Sequence, residues 1–209
     1  MKTGVLGTGE VGSAIARKLA ALGHDVALGS RTPTEQKVTA LAGFIGAKAG
    51  TYVEAAAHGE WIVNALPGEC AIAILDDCAI SGKILVDISN YTSAVDQPID
   101  VPIGEAIQRA FPDVRLVKTL NSVSAHLMID PASLGAPHSV FIAGNDATAK
   151  AEVAALLRSF GWSSTLDLGD LTACRAMEQL IPLWMRLEQL LGGPDFNLEV
   201  VVAPRPKAR

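Results

Sequence analysis

Cysteine is scarce in this chain: Cys70, Cys78 and Cys174 are the only three in 209 residues. They are odd in number and far apart, and they form no CxxC or Cys/His spacing. Neither a disulfide framework nor a zinc site is expected, and no metal is assigned. Buried free thiols in a reducing compartment fit this usage. A basic stripe is also missing. The formal net charge is −5 and the pI about 5.3, which argues against a nucleic-acid partner. The one basic run, Arg205-Pro206-Lys207-Ala208-Arg209, is short and reads as a frayed end. No uninterrupted apolar run approaches the roughly 20 residues of a membrane span. The first residues enter a strand pattern at once, so no signal peptide is expected. There is no internal repeat and no low-complexity tract. These absences leave a cytoplasmic protein with neither a membrane nor a nucleic-acid partner.

What is present is apolar and regularly spaced. Hydrophobic residues make up 49% of the chain, enough to bury a core. Residues 2–6 read as a short strand. Val11, Ala14, Ile15, Leu19 and Leu22 follow at helical spacing, with Gly23 as a stop. Residues 25–28 read as a second strand. Thr32-Pro33-Thr34-Glu35 then has the pattern of a capping box, with Thr32 as N-cap, Pro33 in the first turn and Glu35 reaching back. Further strands are expected at 61–65, 84–88, 114–119, 139–143 and 165–168, with helices at 69–79 and 146–160. This succession of strand–helix units predicts an α/β fold: a Rossmann-type, doubly wound, mostly parallel sheet.

The texture changes after Asp170. Leu171, Cys174, Met177, Leu180, Ile181, Trp184, Leu187, Leu190 and Leu191 make an apolar helical surface too broad for one contact face, and Pro182 should kink or split it. Residues 196–202 read as a final strand. The division expected is a dinucleotide-binding domain over 1–169 and a small helical extension over 170–209. Part of that extension either packs on its own sheet or forms a homodimer surface.

Gly7-Thr8-Gly9-Glu10-Val11-Gly12 is a GxGxxG loop that follows a strand and opens a helix, the context that gives the pattern meaning. Gly7 would make the tight turn, Gly9 would admit a pyrophosphate and Gly12 would let helix and strand pack closely. The orphan amides and dipole at the helix N-terminus favour an anion. The next strand selects the nucleotide. A binder of plain NAD carries a carboxylate at its C-terminal end, for the ribose 2′-hydroxyl. Here Asp25 sits at the wrong end, and Ser30, Arg31 and Thr32 occupy the right one. An arginine can bind a 2′-phosphate with charge-assisted, bidentate hydrogen bonds, which points to NADP(H). Lys37 can add charge, or stand simply as a solvated lysine.

Ligands in such folds lie across the C-terminal ends of the strands. Ala65, Leu66 and Pro67 would close over the cofactor there. The polar loops around Asn90 and around Asn121 and Ser122 suit the nicotinamide and its partner. Asn121 offers a donor and an acceptor to a carboxamide, or bonds its own loop. His126 is the one histidine beside this cluster. It is a candidate catalytic proton donor, against the plainer alternative of a polar loop histidine. Tyr91 has the same two readings. No Tyr-x-x-x-Lys pair and no GxSxG elbow is present.

The chain resembles the NADPH-dependent oxidoreductases of the coenzyme F-420 (deazaflavin) type, and the reductase domain of the STEAP metalloreductases looks like a relative. The residues that carry the resemblance are Gly7 to Gly12, Leu28-Gly29-Ser30-Arg31-Thr32, Val117-Lys118-Thr119-Leu120-Asn121-Ser122 and Phe141-Ile142-Ala143-Gly144-Asn145-Asp146. Asp167-Leu168-Gly169-Asp170-Leu171 and Met177-Glu178-Gln179-Leu180-Ile181-Pro182-Leu183-Trp184 complete the set. The resemblance implies NADP(H) held at Thr8, Ser30 and Arg31, a deazaflavin as co-substrate, and a homodimer; a flavin is the alternative co-substrate. The family often has Pro-Trp-Glu where this chain has Pro67-Gly68-Glu69, a departure beside the second ring.

The function expected is hydride transfer between NADP(H) and a second ring cofactor, in which positioning does most of the work. Two rivals remain at this point. One is an NADPH-dependent reductase of a small carbonyl, imine, quinone or metal chelate. The other is a non-enzymatic NADP(H)-binding sensor module.

Overall fold

The structure, a computed structural model, describes residues 1–93 and 98–203. The basic run at 205–209 lies outside the described residues. Eight strands form one sheet: β1 (Lys2–Leu6), β2 (Asp25–Gly29), β3 (Lys48–Gly50), β4 (Trp61–Asn64), β5 (Ile84–Asp87), β6 (Arg115–Thr119), β7 (Val140–Ala143) and β8 (Thr165–Asp167). Their spatial order is β3-β2-β1-β4-β5-β6-β7-β8. All pairs are parallel except β6 with β7. The expected doubly wound α/β architecture is therefore present, with the strand order reversing between β1 and β4.

The strands read as continuous apolar runs because both faces of the sheet are covered. Alternation decides which side chain goes where. Val5, Leu28, Val63, Val86 and Val117 face one layer, formed with Ile15 and Leu19 of α1 (Glu10–Ala21) and Val153, Leu157 and Phe160 of α7 (Ala147–Phe160). Leu6, Ala27, Ile62, Leu85 and Leu116 face the other. That layer contains α3 (Tyr52–His58), α4 (Gly68–Leu75) and α5 (Ile103–Ala110). The first layer also holds α2 (Gln36–Ile45), through Leu41 and Ala42, and α6 (Ala125–Ile129), through Leu127 and Met128. No described helix is long and apolar enough to cross a membrane.

The apolar stretch after Asp170 splits as Pro182 requires. A 3-10 turn over Leu171–Ala173 leads into α8 (Cys174–Glu178), and α9 (Ile181–Leu191) begins with the proline in its first turn. Cys174, Met177 and Glu178 are buried, whereas α9 buries no residue fully.

Three expectations need correction. Helix α2 starts at Gln36, and Thr32-Pro33-Thr34-Glu35 is a turn closed by Glu35 N–H donating to Thr32 O at 3.1 Å. A capping box would have used the Thr32 amide, but that amide already donates to Ser30 Oγ at 3.2 Å. The same S/T-x-x-E pattern at Thr51-Tyr52-Val53-Glu54 does form a capping box, at the start of α3; neither β3 nor α3 was expected. Residues 196–202 form no strand, because β7 already has β6 and β8 on its two edges. One backbone bond, Ser139 N–H to Leu198 O at 2.9 Å, joins the two segments. Finally, Cys174 is buried, but Cys78 is only half-buried and Cys70 is exposed.

Candidate functional site

The strand reversal places a crevice outside the C-terminal ends of β1 and β4. Gly7 enters it with φ of 110°, a conformation that favours glycine. A Cβ there would lie 2.5 Å from the Ala65 carbonyl oxygen, so the loops after β1 and β4 are in contact. Gly12 is closed by its neighbours: a Cβ would stand 2.8 Å from the Gly7 carbonyl carbon and nearer still to its oxygen. Gly9 differs from both. Its φ and ψ of −72° and −169° suit any residue, and a Cβ would meet nothing within 4 Å. As N-cap of α1 it offers no side chain. The first-turn amides of Glu10, Val11 and Gly12 lack intrahelical partners and lie beside the open space above Gly9.

Pairing of β1 with β2 sets Leu6 level with Gly29, so Ser30 and Arg31 stand beside the glycine loop. Asp25 pairs with Lys2 at the opposite end, and its carboxylate lies 3.2 Å from His58 Nε2. Ser30 is buried; its N–H donates to Gly50 O at 3.0 Å. Arg31 is exposed and makes no ion pair or side-chain hydrogen bond among the described residues. Lys37, also exposed, pairs with Glu35 at 3.2 Å.

A cavity of about 710 Å³ runs along these elements. Its wall includes Gly7, Thr8, Gly9, Glu10, Val11 and Gly12 from the glycine loop, and Ser30, Arg31, Thr32 and Lys37 from beyond β2. Ala65, Leu66 and Pro67 line it after β4, and Asn90 after β5. Glu35, Tyr52, Cys70, Ile74, Ile88, Ser89 and Thr92 also line it and are not among the site residues expected from the sequence. Ile88 and Ser89 lie in a loop already marked by its position; nothing local signals Tyr52 or Cys70.

A second cavity of about 270 Å³ shares Glu10, Val11, Ile88 and Asn90 with the first. Asn121 and His126 belong to it, with Trp184 and Glu188 of α9. Ser122 is buried and belongs to neither wall. Before Asn121, Leu120 has φ of 59°, a left-handed conformation costing about 1–2 kcal/mol in a non-glycine residue. Burial of its side chain opposes that cost, and such outliers gather at functional sites. The Asn121 amide nitrogen donates to Met177 O at 2.9 Å and to Asn90 Oδ1 at 3.1 Å. The Met177 carbonyl can only accept, which fixes the amide orientation. Among the described residues, Asn121 Oδ1 is then a buried acceptor without a partner, as Trp184 Nε1 is a buried donor without one.

His126 Nε2 lies 2.9 Å from Asp195 Oδ1, at a site open to solvent. The Tyr91 hydroxyl is committed elsewhere, donating to Val101 O at 2.8 Å. Glu69 secures the loop above the cavity by accepting from Thr92 N–H and Ser93 N–H, each at 2.7 Å, and from both hydroxyls. Partial burial works against the Glu69 carboxylate, but the Ser93 and Thr92 bonds outweigh it and hold its pKa at about 2. Among the described residues no group of three His, Cys, Asp or Glu side chains is arranged to hold a metal ion.

Residues 2–91 match the family of NADP oxidoreductases described as coenzyme F420-dependent. A crystal structure of a candidate F420-dependent NADP-reductase from Arthrobacter sp. FB24 is 41% identical, superposes with a TM-score of 0.91, and covers 97% of this chain and 100% of its own. The F420-dependent NADP reductase of Methanothermobacter marburgensis is 28% identical, over 90% of this chain and 92% of its own. Rat metalloreductase STEAP3 is 31% identical over 88% of this chain, which spans only 38% of that protein's length. An imine reductase from Aspergillus terreus, at 21% identity and a TM-score of 0.67, shares the fold.

Proposed function

The chain belongs to the family of coenzyme F420-dependent NADP oxidoreductases, and from that premise we propose that it transfers a hydride between NADP(H) and a second planar ring, a deazaflavin or flavin. One observation carries the reading. The long cavity and the short one share Glu10, Val11, Ile88 and Asn90, so a ligand in one abuts a ligand in the other.

The residues fit NADP(H). The protein-free space at Gly9 admits a pyrophosphate, and the unpartnered amides of α1 favour its charge. Thr8, Ser30, Arg31 and Thr32, with Lys37 beyond, surround the end of β2, where a 2′-phosphate belongs and no carboxylate ends the strand. Asn121 Oδ1 supplies the acceptor that a carboxamide N–H needs. Bound nicotinamide supplies the hydride. The protein orients the reactants, and the apolar walls of Val11, Ile88 and Leu66 exclude water.

His126, held by Asp195 in the second cavity, favours a second reading in which the acceptor is a small carbonyl or imine that takes its proton from this imidazole. NADPH oxidation assayed against deazaflavin, riboflavin, quinone, carbonyl and imine acceptors separates the two. Turnover with a ring acceptor supports the first. Turnover confined to carbonyls or imines, and lost in His126→Ala, supports the second. Tight NADP(H) binding without turnover of any acceptor would instead favour a sensor.

We also assign α9 to a homodimer surface, within a C-terminal extension over 170–209. Leu183, Leu190 and Leu191 are exposed on one side of this helix, an apolar patch that monomers rarely leave in water. Light scattering on the purified protein checks the assignment. A cytoplasmic location belongs to the same reading and rests on the free thiols and the absence of a described membrane-length helix.

A further inference from the structure

Lys118 is fully buried at the C-terminal half of β6, and so is Asp87 at the end of β5. The Lys118 ammonium lies 2.9 Å from Asp87 Oδ2 and 3.1 Å from Glu178 Oε1, and donates to Ser89 O at 2.6 Å. Asp87 Oδ1 accepts from Asn64 Nδ2 at 2.8 Å, from Ser89 Oγ at 2.6 Å and from Ser89 N–H at 3.3 Å. Asn64 Oδ1 in turn accepts from Leu66 N–H at 3.3 Å. On the other side, Glu178 accepts from the first amides of α5, Ile103 N–H at 2.8 Å and Gly104 N–H at 3.1 Å.

Stability alone is a poor reason for such a cluster. Removing three charges from water costs several kcal/mol per ion, and apolar residues of similar volume often serve a fold as well. What the cluster does that apolar residues cannot is hold specific backbone atoms. Its bonds end on Ser89 and Leu66, and both residues line the cavity. Burial drives against charge on Lys118 and on Glu178. The two carboxylates facing Lys118 nevertheless raise its pKa and keep it an ammonium. Burial pushes the adjacent Cys174 thiol up to about 12, so it stays neutral beside them.

We propose that Lys118, through its bonds to Asp87, Glu178 and the Ser89 carbonyl, is a positioning residue that sets the loops after β4 and β5 for the nicotinamide half of the bound dinucleotide. This rests on the NADP(H) reading above. With the pyrophosphate on α1, β2 flanks the adenosine half, and β4 and β5 lie on the other side, under the nicotinamide half. Lys118 touches neither cavity wall, so it acts only through these loops.

The test compares two ligands on the full chain by calorimetry: NADP⁺, and adenosine 2′,5′-bisphosphate, which reaches only the adenosine side. Lys118→Met should weaken NADP⁺ at least about tenfold, since the ligand must then order loops the cluster no longer holds, and change the fragment by less than about twofold. If Lys118→Met does not fold, Glu178→Gln decides. That variant keeps the shape of the side chain, leaves one ammonium facing one carboxylate and lies outside both cavity walls. The same selective loss is expected, though smaller. Wild-type affinities for both ligands in a folded variant with a lower Tm overturn the proposal, because the cluster would then be a structural staple alone. Equal loss of both ligands overturns it too. Wild-type protein that binds neither ligand overturns the NADP(H) reading itself, and this proposal with it.

Discussion

A Cβ on Gly12 would stand against the carbonyl of Gly7, 2.8 Å from its carbon. Three residues earlier in the same loop, a Cβ on Gly9 would meet nothing within 4 Å. The fold needs the first of these glycines, and only something outside the protein needs the second. Gly9→Ala should leave Tm within about 2 °C of wild type, as a substitution without new contacts does, yet weaken NADP⁺ at least about tenfold by filling the space of the pyrophosphate. Gly12→Ala should cost more than about 3 kcal/mol or prevent folding, because helix and strand must move apart. Thermal melts and calorimetry on the two variants check this. A Gly9→Ala protein that binds normally would remove the pyrophosphate from this loop.

Arg31 stands at the cavity wall where β2 ends, without a protein partner among the described residues. A charge-assisted bond to a 2′-phosphate contributes roughly 1.5–3 kcal/mol. Arg31→Glu should therefore weaken NADPH by about tenfold to a hundredfold or more, and NADH far less. Titrations with both nucleotides measure the ratio. Equal losses would sink the assignment.

His126 is paired with Asp195 beside the second cavity. Transfer between two rings needs orientation more than a proton donor. With a deazaflavin or flavin acceptor, His126→Ala should keep kcat within about threefold of wild type, whereas loss of a general acid would typically cost about 10²–10⁴-fold. Steady-state rates with one ring acceptor and one carbonyl distinguish the cases.

Glu69 has a folded pKa of about 2 against an ordinary value of 4.5. A depressed carboxylate contributes stability that is fully present above the unfolded value and is lost as pH falls through the folded one. The hold on Thr92 and Ser93 should thus be intact near neutrality and weaken between pH 4.5 and about 2. In Glu69→Gln their amides should exchange faster than in wild type near neutrality, with the difference shrinking below pH 4.5. Hydrogen exchange against pH reads this directly. A difference that persists unchanged at low pH would contradict the carboxylate's role.

Much of the fold was legible because its signals are local. The apolar runs of the eight-strand sheet stand out wherever both faces are buried; β3, only three residues long and largely exposed, carried no such signal and was missed. Two stretches with the same S/T-x-x-E pattern met different fates. Thr51 caps a helix, while at Thr32 the Ser30 hydroxyl had already taken the amide the box requires. Residues 196–202 have strand composition but no free strand edge beside β7.

The sequence by itself determined the glycine loop, the strand before it, the helix after it, and the replacement of a ribose-binding acid by Ser30 and Arg31. Each depends on neighbours in the chain, whose backbone geometry fixes what the loop can do. Tertiary structure alone decided that Asn121 Oδ1 is left without a donor among the described residues, that two cavities share the wall of Val11 and Ile88, and that Lys118 meets Asp87 and Glu178 in the core. Those pairings join residues on separate elements. They arise from how the sheet order and the C-terminal helices bring distant charges and amides together, and burial then gives each contact its weight by removing competing water.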